Sequence, residues 1–367
     1  MNDIVLVTAD SVRNDYIEEM EFLSEYPTQS GTTVGHYTRP SLAGLLSSQY
    51  QATMKSSITE PTIPEVMSDA GYTTIGLAPS PQLDEVFNFD RGFDKYENFV
   101  DAGNRGSNRR EILGQFDLLR KVYHRFFPPH AKMSDLPTDE AVVEQAIEQF
   151  NDASGPRFMW VHLMGSHRPY GRGDTAISRS LDRKALFSPS SLKDSEHQEI
   201  TSAYRAALSR VDSVIENLLT EVEGEPTFIF TSDHGDEFGE EGYYYHQPQR
   251  RRTADKLVTV PIVSNDISLP GDRCSLLDIG PMIANQAGID VPEEWNGIDI
   301  RSESRSYTLT IAPWHNTASL RLATNDYTVT CTDGRVSMRE AGDDVHVKRN
   351  EQTEEVQERL QDLGYVE

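Results

Sequence analysis

Residues 4–13 read Ile4-Val5-Leu6-Val7-Thr8-Ala9-Asp10-Ser11-Val12-Arg13. A short apolar, β-branched run that turns abruptly polar reads as a central strand buried on both faces. Its carboxyl end delivers Asp10, and ligand sites of open α/β sheets sit at such ends. Two other stretches repeat the pattern. Residues 226–232 run into Asp233-His234-Gly235, and residues 157–164 run into Gly165-Ser166-His167. Three strands therefore end in residues able to hold a ligand.

Helical patterns lie between them. Residues 62–70 precede a Gly-Tyr turn and a strand over 73–77, and residues 138–151 carry acidic residues in their first turn. Residues 198–222 place Tyr204, Leu208, Val211, Ile215, Leu218 and Leu219 on one face at a 3.6-residue period. Alternating strand and helix argues for a large, mostly parallel sheet flanked by helices. Residues 101–136 hold a basic island (Arg105, Arg109, Arg110, Arg120, Lys121, Arg125) on a stretch read as a packed helix with a solvated basic face, or a lid. Residues 168–196 read as a long polar excursion. From about residue 305 short β-rich runs (307–311, 318–324, 327–332) suggest a small antiparallel sheet, followed by a terminal helix near 351–363. The expected division is a catalytic domain over 1–304 and a β-rich subdomain over 305–367.

The chain has 34 basic and 59 acidic residues among 367, a formal charge of −25. That field repels nucleic acid and anionic membrane surfaces. Only eight of the basic residues are Lys. A Lys-poor, Asp/Glu-rich surface is what a protein kept soluble in concentrated salt carries, and it points to a halophilic source. Hydrophobic residues make up 37%, and no apolar run approaches the roughly 18–20 residues that span a bilayer. The opening run is too short for a signal-peptide core and lacks a basic flank, so a cytoplasmic location is expected. Cys274 and Cys331 have no metal-type spacing and read as buried reduced thiols. Oligomeric state leaves no trace in the sequence.

Several segments, in order over nearly the whole chain, resemble the sulfatase branch of the alkaline-phosphatase-like enzymes. The strand ending in Asp10 looks like the first strand with its metal carboxylate. Thr38-Arg39-Pro40-Ser41-Leu42-Ala43-Gly44 looks like the nucleophile turn and its helix. Gly92-Phe93-Asp94 resembles a structural turn, and Ser166-His167-Arg168-Pro169-Tyr170 a segment that contacts the substrate anion. The most specific match is Thr231-Ser232-Asp233-His234-Gly235, with Gly239 and Gly242 after it. Residues 276–281 and 363–365 also fit. Three departures matter. Thr38 stands where sulfatases proper have the Cys matured to formylglycine, and Leu42 where they have Arg. Asp10 is followed by Ser11 rather than a second acid, and His246 replaces a Lys. Formylglycine chemistry is thus out of reach, and the resemblance narrows to Thr-nucleophile relatives acting on phosphodiesters or phosphoglycerol groups. With the composition, it suggests a haloarchaeal member.

The resemblance implies one divalent metal ion (calcium, magnesium, manganese or zinc) on Asp10, Thr38, Asp233 and His234. Transfer of a sulfuryl or phosphoryl group builds anionic charge that such an ion neutralises. Coordination would also activate the Thr38 hydroxyl, which is otherwise a poor nucleophile; the plain alternative is that Thr38 or Ser41 only caps a helix. Arg39, His167 and His246 would bind the ester oxygens, and either histidine could protonate the leaving group. Arg39 reads equally well as a surface ion pair, and Asp236 as a solvated loop carboxylate. His162, inside the third strand, reads as structural; His36 is left open. His124, His130, His197, His315 and His346 fit no motif and read as surface or packing residues. The expected substrate is a small-molecule, glycan-linked or lipid-linked anionic ester. The lost Cys, Arg, second acid and Lys leave a rival reading, a binding or regulatory protein that kept the fold without catalysis.

Overall fold

The computed structural model describes residues 2–100, 136–171, 175–266 and 273–340. Its main feature is an eight-stranded sheet built from β1 (Ile4–Ala9), β2 (Thr28–Thr32), β3 (Thr73–Leu77), β4 (Lys95–Glu97), β5 (Arg157–Leu163), β6 (Thr227–Ser232), β7 (Thr259–Ser264) and β8 (Cys274–Ser275). The spatial order is β4-β3-β5-β1-β6-β7-β2-β8. β1 pairs in parallel with β5 and β6; only β7, against β6 and β2, runs antiparallel. The large, mostly parallel sheet is as expected, although the sequence reading did not pick out β2, β4, β7 or β8.

The period-2 alternation of β1 divides the core. Val5, Val7 and Ala9 face a cluster with Tyr204, Leu208, Val211 and Ile215 of the helix Asp194–Glu221. Ile4 and Leu6 face the other cluster, with Leu42, Leu45 and Leu46 of the helix Thr38–Ser47 and Met67 of the helix Ile63–Asp69. The strand is buried along its whole length. That is why its sequence is a continuous apolar run rather than an alternation of apolar and polar residues. Leu219, assigned to the apolar face of the long helix, is only partly buried. No helix among the described residues is long and apolar enough to cross a membrane.

A four-stranded antiparallel sheet follows, β9 (Thr308–Trp314), β10 (Thr317–Ala323), β11 (Tyr327–Thr332) and β12 (Arg335–Glu340), in the order β12-β11-β10-β9. Three of these strands were expected. The fourth alternates charged or small polar residues with Val336 and Met338 and carries no apolar run to announce it. The stretch 168–196 is not the polar loop foreseen: it contains a helix over Arg179–Phe187, capped by Ser178 and burying Leu181 and Ala185. A one-turn apolar repeat and a Ser cap suffice once the body of the protein supplies the partner surface. Cys274 is buried, whereas Cys331 is only partly so, and both are free. The basic helix read over 101–136 and the terminal helix near 351–363 fall outside the described residues, save for Leu136.

The junction where β1 ends is fixed by Tyr204. Its buried hydroxyl donates to the Ser11 carbonyl (2.8 Å) and accepts from the Arg13 amide (2.9 Å). Tyr204→Phe strands both backbone groups, and chemical denaturation should show a loss of about 1–3 kcal/mol. A change within error would mean that water replaces the hydroxyl.

Candidate active site

The in-register pairing of β1 with β6 aligns Ala9 with Ser232, so the next residues, Asp10 and Asp233, leave the sheet side by side. Both are fully buried. The amides of Ser11 and His234 donate to Asp233 Oδ1 at 2.9 and 2.8 Å, fixing that carboxylate and leaving Oδ2 without a hydrogen-bond partner. Asp10 Oδ1 accepts from the Ser11 hydroxyl (2.5 Å) and Oδ2 from the Thr38 hydroxyl (3.1 Å). Ser11 reaches this position in a left-handed conformation, φ 61°. Gly235 is required after the Asp-His pair, because a Cβ there would collide with the Lys256 carbonyl.

Thr38 opens the helix Thr38–Ser47, whose N-cap, Tyr37, makes no side-chain capping bond. Its hydroxyl points to Asp10, so it is not a cap. Ser41 is not one either: it donates to the Asp233 carbonyl (2.6 Å) and ties the helix to the end of β6. Arg39 forms no ion pair among the described residues. It donates twice to Gln82 Oε1 (3.0 and 2.7 Å) and stacks 3.8 Å from the centroid of Phe87, and burial pushes its pKa down.

Four histidines surround the carboxylates. His234 Nε2 lies 3.3 Å from Asp233 Oδ2, and the His234 and His246 rings are 4.3 Å apart. His167 stands 5.5 Å from His246, on a turn held by Asp139, which accepts from the Met164 and Gly165 amides at 2.9 and 2.8 Å. Asp236, read as a solvated loop carboxylate, is instead fully buried. Its Oδ1 takes the His246 amide (2.7 Å) and faces Nδ1 (2.9 Å), while Oδ2 takes the Tyr170 hydroxyl (2.5 Å). His162 is the other residue the sequence underrated. One atom each of Asp10, His162 and Asp233 lie within 4.8 Å of one another. Its Nδ1 is 2.9 Å from Thr8 Oγ1, which also accepts from Trp160 Nε1 at 3.0 Å. A histidine two strand positions after a tryptophan looked like core; only the register Thr8↔His162 shows which residues it meets.

Three buried atoms at these strand ends have no hydrogen-bond partner: Asp233 Oδ2, His162 Nε2 and His234 Nε2. Among the described residues the mutual grouping holds Asp10, His162 and Asp233; His234 approaches Asp233 but is not in that group. Buried polar atoms are nearly always satisfied, so such a cluster of orphans marks the place of a cation. The donor set, two carboxylates, imidazole nitrogens and a hydroxyl, fits a divalent metal. Burial pushes His162 down to about 4, keeping the imidazole neutral, as a ligand must be. Burial also raises Asp10, but the pull of neighbouring imidazoles, His167 first and then His234 and His246, outweighs it and holds that carboxyl low. Burial lifts Asp233 to about 7; His234 opposes the rise and the negative Asp10 adds to it. His246 is lowered by burial and by His234 against the pull of Asp236.

Residues 2–270 match the family model described as Sulfatase. The chain belongs to the sulfatase family. Its members normally bind a divalent metal, and Asp10, His162 and Asp233 are the candidate site for one. A phosphoethanolamine transferase, EptA of Escherichia coli O157:H7, is 27% identical over 134 aligned residues, covering 34% of this chain and 24% of that protein. Among solved structures, a 2-O GAG sulfatase superposes with a TM-score of 0.71 at 14% identity, covering 99% of this chain and 90% of its own. The phosphonate monoester hydrolase of Silicibacter pomeroyi superposes with a TM-score of 0.66 at 15% identity, covering 93% and 89%. A third neighbour, 14% identical with a TM-score of 0.65 over 92% and 91% of the two chains, was solved with D-glucosamine-2-N,6-O-disulfate. At these identities the structures establish the alkaline-phosphatase-like fold.

The raised Asp233 has a direct consequence for metal-free protein. At Asp233 the folded state binds more protons than the unfolded state between the ordinary carboxylate range and about pH 7, so this group's contribution to stability falls as pH rises through that window. The buried His162 and His36, both held down at about 4, contribute the opposite slope, so the Asp233 share is read as a difference between proteins. In chelator-treated protein the melting temperature of wild type relative to Asp233→Asn should fall steadily from about pH 4 to 7. A difference that does not change with pH would overturn this assignment.

Proposed function

We propose that this chain is a metal-dependent hydrolase or transferase of anionic esters in which the Thr38 hydroxyl is the nucleophile, with phosphodiester or phosphoglycerol-type substrates favoured over sulfate esters. The observation that carries this reading is the Thr38 side chain, turned away from its helix toward Asp10 beside three orphaned donor atoms. Asp10, Thr38, Asp233 and His234 form the ligand set, and His162 joins them. With two imidazoles present, the set suits zinc or manganese better than calcium. A divalent ion there supplies charge neutralisation for the ester oxygens and acidifies the threonine hydroxyl.

The protein's own groups do the rest. Thr38 Oγ forms the new bond to phosphorus while the leaving-group oxygen departs on the opposite side. Within the first helical turn Pro40 has no N–H and the Ser41 amide is bonded to the Tyr37 carbonyl (3.3 Å), which leaves the amides of Thr38 and Arg39 for the transferred anion. Arg39, half-buried without a carboxylate partner among the described residues, is available to the same oxygens, given a swing away from Gln82. His167 and His246 bind ester oxygens, and one of them protonates the leaving group. Asp236 and Tyr170 hold the His246 ring by way of Nδ1, which leaves Nε2 for the substrate. Water or an alcohol then accepts the group from Thr38. The preference for phosphorus esters rests on the threonine, which has no thiol to mature. It agrees with a relative named for phosphoethanolamine transfer and a neighbour named for phosphonate monoester hydrolysis.

Thr38→Ala should lower turnover of aryl phosphodiesters by on the order of 10³-fold or more. Elemental analysis of that variant should still find metal, less tightly held. Turnover equal to wild type would remove Thr38 from the mechanism, and wild-type protein that binds metal yet turns over neither phosphate nor sulfate esters would favour a binding role for the fold. His162→Ala should weaken metal affinity by at least the about 10–100-fold typical of outer-shell partners, read by competition with a chromophoric chelator. Wild-type affinity in that variant would return His162 to a packing role.

A further inference from the structure

The four-stranded sheet is turned inside out. Strand alternation and register place Arg321, Thr330 and Ser337 in one row and Ala323, Thr328 and Arg339 in the next, all on the face toward the protein body. On the opposite face Ile311 of β9 is buried, whereas Leu320, Leu322, Val329 and Val336 are partly exposed and Met338 is 47% exposed. A one-sided antiparallel sheet ordinarily buries its apolar face and wets the polar one. Here β9 packs its polar face on the main domain, with the Thr310 hydroxyl on the Thr33 carbonyl (2.7 Å), and β11 and β12 overhang the loop 249–255. The overhang encloses a groove of about 600 Å³.

The charge in that groove is unbalanced. Arg251 is neutralised by Asp333, and Arg252 by Glu237 and Glu241. Arg321 and Arg339 share one carboxylate, that of Asp255. Arg250 has only Gln247 and the Tyr243 ring as partners among the described residues. Arg321 is 7% exposed; burial lowers its pKa, and Arg339 and Arg273 add to that effect against Asp255. A guanidinium wall left undercompensated at low exposure, beside threonine hydroxyls, is the arrangement that a tetrahedral oxyanion completes.

We propose that this groove binds a sulfate or phosphate group, separate from the ester group at Thr38, with Arg339 and Arg250 as its cationic contacts and Thr328 as a hydroxyl donor. The loop that floors the groove also carries His246, four residues before Arg250, so one multiply charged ligand can address both places. The inference does not depend on Thr38 being a nucleophile.

The test is calorimetric titration of the full chain at low ionic strength with inorganic sulfate, inorganic phosphate and a sulfated oligosaccharide. Asp233→Ala, which disables the Thr38 site, should retain anion binding. Arg339→Gln in that background should weaken it tenfold or more, and Thr328→Val severalfold. Binding equal to the Asp233→Ala parent in both groove variants overturns the proposal, as does loss of all anion binding in Asp233→Ala itself. If Arg339→Gln fails to fold, the half-exposed Thr328→Val decides alone, by the same criterion. An oligosaccharide that binds tenfold tighter than the inorganic ions identifies a group carried on a polymer; equal affinities identify a free anion.

Discussion

Two carboxylates, Asp10 and Asp233, lie side by side, both fully buried. At an effective dielectric of about 20, two full charges at such separations repel by on the order of 3–4 kcal/mol. Parallel pairing of β1 and β6 enforces the closeness, since equal register brings both chains out of the sheet at the same level. The surrounding structure answers that repulsion. Backbone amides of Ser11 and His234 saturate one oxygen of Asp233, and neighbouring imidazoles, His167 and His234 foremost, lend positive potential to Asp10. What they leave unsaturated is a set of lone pairs at the strand ends, on Asp233, His162 and His234. A cation is the economical way to satisfy them.

Around that point the fold builds rigidity by tying loops to strand ends. Arg13, just past β1, is 3% exposed and reaches Asp15, Glu240 and the Asp236 carbonyl, so the loop bearing Asp236 is anchored to the strand bearing Asp10. Ser41 and Thr33 both donate to the Asp233 carbonyl, at 2.6 Å each, which locks the helix of Thr38 against β6. Ser166 donates to the Asp10 carbonyl at 2.6 Å and brings the His167 turn to the same place. Preorganisation of this sort is what charge stabilisation in a transition state requires, because groups already in place need not reorganise during the reaction. The small sheet is held differently. Its polar inner face leaves arginines and threonines beside the loop that carries His246, so the second layer of the molecule presents cationic chemistry to solvent instead of a closed apolar seam.

The strand ends at Asp10, Asp233 and His167 were legible in the chain, because a doubly buried strand needs an unbroken apolar run and the residue that ends it must be polar for a reason. The long helix behind them was legible from its 3.6-residue stripe, and the family from a collinear series of short motifs. His162 and Asp236 were not. A histidine within an apolar strand and an aspartate in a Gly-rich loop have bland readings that are usually right. What makes them part of the site is which groups meet them: Thr8 and Asp10 from the neighbouring strand for one, Tyr170 and His246 from other loops for the other. The inverted face of the small sheet was equally hidden. Alternation fixes that two faces exist, while the side on which the main domain sits depends on contacts such as that between Thr310 and Thr33. The sequence by itself determined that polar, ligand-capable residues would stand at the ends of buried strands, because local hydropathy dictates strands and strands dictate ends; the metal among them was what the family resemblance implied. Only the tertiary structure decided which imidazoles close around it, because that depends on register and on loops returning from distant parts of the chain, which no local pattern encodes.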